Sequence, residues 1–115
     1  MAGTLRINDN AVWMPAGWIY DGILDLIAAQ VVNEDPALAE TLRKARTEAT
    51  GYHNLRTLDK DSFLLLLRGT ERAYAKALSQ GAQAFHDRSM YPSFIKHFDA
   101  LRGSLKADPR AAGGG

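Results

Sequence analysis

Hydrophobic positions follow two different periods along this chain. Near the start they alternate with polar ones: Thr4-Leu5-Arg6-Ile7 and Ala11-Val12-Trp13-Met14 flank Asn8-Asp9-Asn10. Alternation is the two-residue repeat of a strand with one buried face. Asn and Asp tolerate left-handed backbone and bond their own main chain, so the three residues between the runs predict a hairpin loop. A lone hairpin is marginal in water. This one must therefore lie on the helices, through Leu5, Ile7, Val12 and Trp13, with Pro15 ending its second strand.

From residue 16 the period lengthens to that of a helix. Ile19, Tyr20, Ile23, Leu24, Leu26, Ile27 and Val31 cover a broad arc, which predicts a core helix over residues 16–33 with Asp21 and Asp25 on its wet side. Asp35 can accept the free amides of a first turn and Pro36 fits the first helical position. A second helix starts there, with Leu38, Leu42, Ala45 and Ala49 as a narrow stripe, Glu40 and Lys44 paired across one turn, and Gly51 as terminator. Residues 52–58 are short and extended, pinned by Leu55 and Leu58; a third strand beside the hairpin is the less favoured assignment. Asp59 or Asp61 caps a third helix that runs to Gln80 and stops at Gly81. Residues 82–89 are ambiguous, with Phe85 as their apolar anchor. Pro92 opens a fourth helix to Lys106, with Phe94, Phe98, Leu101 and Leu105 at helical spacing, and Asp108-Pro109 ends it. The expected architecture is mainly α: an N-terminal β-hairpin packed on a small bundle of about four helices. Residues 1–110 form a single domain and residues 111–115 a flexible tail.

The third helix carries Phe63-Leu64-Leu65-Leu66-Leu67, more consecutive apolar residues than one face can hide. With Phe63 at the centre of the wheel, Leu66, Leu67, Thr70, Tyr74, Ala77 and Leu78 share its half and form the core stripe. Leu65 then falls on the far side among Arg68, Arg72 and Lys76, beside Gly69. An apolar residue ringed by cations is how a small recognition surface looks. The candidate partner-binding residues are therefore Leu65, Arg68, Gly69, Arg72 and Lys76, with Leu65 exposed until something docks. Two plainer readings of Leu65 stand beside this one: burial under the hairpin, and simple exposure.

Charge sharpens the picture. The net charge of +1 hides a split, because residues 1–40 carry six acids and one base (−5) and residues 41–115 carry seven acids and thirteen bases (+6). The halves can attract each other within the fold, or leave a basic face for an acidic partner. The absence of cysteine excludes disulfides, thiolate metal sites and cysteine nucleophiles. His53, His86 and His97 lie far apart, and a metal site would need them to converge with Asp87 or Asp99. A Ser89, His86 and Asp87 triad can be sketched, but the nucleophile-elbow pattern is missing. Asp21 and Asp25, one turn apart, read more simply as a solvated face than as paired catalytic carboxylates. Phosphate-binding glycine loops are missing as well. No catalytic residue, cofactor or metal is expected. Neither an export signal nor a bilayer-length apolar run is visible, so a cytoplasmic protein with no membrane association is expected.

These readings converge on a small non-enzymatic protein that binds another protein, one whose surface is acidic or offers an apolar pocket with an acidic rim. In size and style the chain resembles bacterial immunity and antitoxin proteins, which neutralise a toxin by covering its active surface. The resemblance is one of class, carried by no motif, and the chain departs from it in charge, since many immunity proteins are markedly acidic. The alternatives are a nucleic-acid-associated helical protein, for which Arg43, Lys44 and Arg46 join the cations of the third helix, and a small metal-dependent or ligand-binding enzyme.

Overall fold

The computed structural model describes residues 3–47 and 52–112. Strands β1 (Thr4–Asn8) and β2 (Ala11–Trp13) form the expected antiparallel hairpin, with Leu5 opposite Trp13 and Arg6 opposite Val12. Asn8 Oδ1 accepts the Asn10 amide at 2.8 Å, which shapes the turn, and the register shifts between Arg6 and Asn8. Leu5, Ile7 and Trp13 are buried. Val12 is 36% exposed, which corrects its assignment to the packed face: it pairs with Arg6, and the two-residue repeat places both away from the core.

Helices α1 (Gly17–Val31) and α2 (Pro36–Thr47) come next. Asp35 Oδ1 accepts the Leu38 amide at 3.0 Å, the cap that the Asp-Pro pair predicts. Ala49 and Gly51, expected to complete and end this helix, lie outside the described residues. The less favoured assignment of residues 52–58 then proves correct in part. Tyr52–Asn54 forms β3, parallel to β1, giving the order β2-β1-β3. A parallel neighbour needs a long crossover, and the helical hairpin α1–α2 supplies it. Leu55 donates its amide to Arg6 O at 2.8 Å and is itself fully buried.

Helix α3 (Lys60–Gln80) starts at Asp59, whose carboxylate accepts the Ser62 amide at 2.8 Å, and ends at Gly81 with φ 67°. Two short 3₁₀ turns, Ala82–Ala84 and Arg88–Met90, lead into α4 (Tyr91–Ala107), where Phe94, Phe98, Leu101 and Leu105 are buried as their spacing predicts. Aromatic rings fill this end: Phe85 meets Phe94 edge-on at 5.0 Å, Phe98 meets Tyr74 at 5.4 Å, and Trp18 stacks on Phe94 at 6.1 Å. The chain turns once more in α5 (Pro109–Ala112), so Ala111 and Ala112 are helical where a tail was expected.

Helix α3 packs against α1 on one side and against α4 and α5 on the other. That double burial explains its run of five apolar residues and corrects the wheel. Phe63, Leu65, Leu66, Gly69, Thr70 and Ala73 are buried, so the arc centres on Leu66 and Ala73, roughly 70° round from Phe63. Leu65 is only 9% exposed. Gly69 lies so close to α1 that a Cβ there would meet Val31 Cγ1 at 2.4 Å. At Gly69 the cover is α1, and Leu65 is buried rather than exposed to solvent. Conversely, Leu67 and Leu78, assigned to the core stripe, are half-buried and 46% exposed respectively.

Candidate functional site

The cations of the expected site do share one exposed face. Arg68, Arg72 and Lys76 all point outward from α3. Arg72 Nη1 reaches Glu34 Oε1 in the α1–α2 turn at 2.9 Å. Among the described residues Arg68 and Lys76 have no ion-pair partner. The expected apolar centre is not with them, because Leu65 is buried and Gly69 lies against α1. Leu67 takes that place. It lines a groove of about 510 Å³ together with Arg68, Glu71 and Arg72 of α3 and Lys106 of α4.

Glu71 braces the wall of this groove. Its Oε2 accepts from Arg102 Nε at 2.9 Å and its Oε1 faces Lys106 Nζ at 3.1 Å. Burial opposes charge on Glu71, but the facing cations Lys106 and Arg102 outweigh it and hold the carboxyl below its ordinary range. Arg102 is held in turn by Asp99 Oδ1 at 2.6 Å and lies over the Tyr74 ring at 4.5 Å. The acid is thus neutralised from α4, and the open rim of the groove is cationic.

A second polar cluster went unread in the sequence. Arg110 donates through Nη1 to Leu55 O at 2.8 Å and Leu58 O at 3.0 Å, and through Nη2 to Ile7 O at 2.8 Å. Its Nε meets Asp108 Oδ1 at 2.9 Å, and its guanidinium covers the Phe63 ring at 4.1 Å. Asp108, 2% exposed, also accepts from Asn8 Nδ2 at 2.7 Å. The Arg110 hydrogen bonds hold its carboxyl far below the usual carboxylate range, with Asn8 assisting and burial opposing. This knot ties α5 to β1, to the segment before α3 and to α3 itself. The one advance signal was Asp108-Pro109, legible only as a helix stop.

Asp87, Ser89 and His97 serve local structure. Asp87 accepts from the Ser89 amide and hydroxyl at 2.9 and 2.7 Å, and His97 Nδ1 lies 2.8 Å from Ser93 O in the preceding turn of α4. Among the described residues no group of three or more His, Cys, Asp or Glu side chains could hold a metal ion, and no helix is long and apolar enough to cross a membrane.

No protein-family model matches this chain, and no curated protein matches it at a significant level. Among solved structures it is similar to a chain in the CdiA-CT toxin from Burkholderia pseudomallei E479 in complex with its cognate CdiI immunity protein. The TM-score is 0.73 at 18% identity, over 96% of this chain and 99% of that one. A likeness so complete in length and so low in identity establishes a shared fold: mainly α, with strands at the N-terminus.

Proposed function

We propose that this chain is an immunity-type protein that neutralises a protein toxin by binding over its surface. The observation that carries the reading is the fold shared with the immunity protein of a toxin–immunity complex, at a TM-score of 0.73 over nearly the whole chain. The surface supports it. Arg68, Arg72 and Lys76 form an exposed cationic face suited to an acidic or acid-rimmed partner, which is the docking face expected from the sequence with Leu67 at the surface in place of Leu65. A cytoplasmic location belongs to the same proposal, and cell fractionation checks it.

The test is growth rescue. The protein encoded by the reading frame beside this chain's own gene is expressed from an inducible promoter, with and without the chain. Protection, together with a stable complex on gel filtration, is the expected result. Unprotected cells and no complex would overturn the reading. The nucleic-acid alternative predicts instead that the chain alone binds a short duplex at low salt and releases it steeply as salt rises.

A further inference from the structure

Resting on the immunity reading, we infer that the α3–α4 groove is the anchor pocket, and that it receives an apolar side chain of the partner flanked by carboxylates. The floor is Leu67, half-buried and packed on the core. The rim is Arg68 and Arg72 on α3 and Lys106 on α4, three cations against the single carboxylate of Glu71.

That carboxylate is already engaged by Lys106 and by Arg102, so it adds little repulsion toward an incoming acid. Arg68 has no ion-pair partner among the described residues, and Arg72 shares its charge with Glu34 across a solvent-exposed pair. Docking must desolvate these guanidiniums, and a desolvated cation requires a counter-charge. A purely apolar segment would leave Arg68 unpaired, and a basic one would be repelled. A nucleic-acid backbone would satisfy the cations but bring no apolar group to Leu67. A protein segment with one aliphatic or aromatic residue between acids satisfies both floor and rim. The groove, about 510 Å³ and open to solvent, has room for one side chain and its neighbours. The Glu71–Arg102–Asp99 brace sets the α4 wall before binding, which lowers the cost of ordering it.

The experiment measures affinity for the same neighbour-encoded protein by calorimetry, with melting temperature as the folding control. Arg68→Glu, at an exposed position, should weaken binding about thirtyfold or more and leave melting unchanged. Leu67→Asn should do the same with a modest loss of stability. Arg88→Glu, on an exposed cation of the 3₁₀ turn before α4, should bind as the parent does. If Arg68→Glu and Leu67→Asn bind like the parent, the groove is not the anchor, although the immunity reading survives. If Arg88→Glu weakens binding as much as Arg68→Glu, the attraction is diffuse and the anchor is again refuted. If the parent itself neither binds nor protects, both readings fall together.

Discussion

At Gly69 a single hydrogen atom sets how closely α3 approaches α1. Alanine there improves intrinsic helix propensity by about 1 kcal/mol, yet its Cβ would stand 2.4 Å from Val31 Cγ1. Overpacking costs about 1–3 kcal/mol and wins. Gly69→Ala should therefore lower the urea midpoint, and Val31→Ala in the same chain should recover part of the loss, so that the two effects are not additive. At Arg110 the polar balance decides. Arg110→Met keeps an apolar side chain near Phe63 but strands the Ile7, Leu55 and Leu58 carbonyls and leaves the buried Asp108 with only Asn8 and the residue-110 amide. Breaking such a pair costs about 3 kcal/mol or more, measurable by chemical denaturation. The pH dependence originates in Asp108. Its carboxyl is depressed in the folded state, first by Arg110, so its contribution is complete above the unfolded value near 4 and is lost as pH falls through and below it. Melting temperature should drop below about pH 5, and Asp108→Asn should flatten that acid limb while lowering stability at neutral pH. Neither Gly69 nor Arg110 revealed this role in the sequence, because a glycine's close neighbour and an arginine's buried carbonyls come from segments far away in the chain.

Helix α3 shows how an element can be legible in kind and misread in orientation. Its aspartate cap, its length and its Gly81 stop arise from local chemistry; the structure keeps the last two and settles the cap on Asp59 rather than Asp61. The buried arc is different. Leucine at each of positions 64 to 67 makes the hydrophobic pattern nearly uniform round the cylinder, so the wheel has no sharp apolar centre. What orients it is the arrival of α1 on one flank and α4 with α5 on the other. The consequence is testable as an inversion. Leu65→Ala should cost about 2–3 kcal/mol, as buried truncations do, and Leu67→Ala about 1 kcal/mol, the reverse of what the Phe63-centred wheel predicts. Thermal denaturation of the pair decides it. The strand β3 teaches the same lesson. Tyr52–Asn54 has too few residues to declare a strand, and its partner β1 lies across two helices.

Across the whole molecule, charge does two jobs. Arg72 meets Glu34 and Arg56 meets Asp9 at 2.7 Å, so part of the basic half closes on the acidic half within the fold. These pairs are exposed, and salt should barely alter the stability of the isolated chain. Arg68 and Lys76 are left facing outward. Association with an acidic partner should therefore slow about tenfold between 0.05 and 0.5 M salt, with Arg68→Glu removing a large part of that dependence in stopped-flow mixing. By itself the sequence determined the hairpin, the four long helices, the Asp35 cap and the Gly81 stop, the fourth helix's buried stripe and the cationic row one turn apart on α3. All of these depend on spacing and local bonding, which a chain carries in its order of residues. Tertiary structure alone decided which leucine of α3 lies inward, that Lys106 of α4 completes the groove beside Arg68, and that Arg110 ties the last helix to the first strand. Those outcomes depend on which surfaces meet, and long-range packing selects them from arrangements that local preference leaves nearly equal.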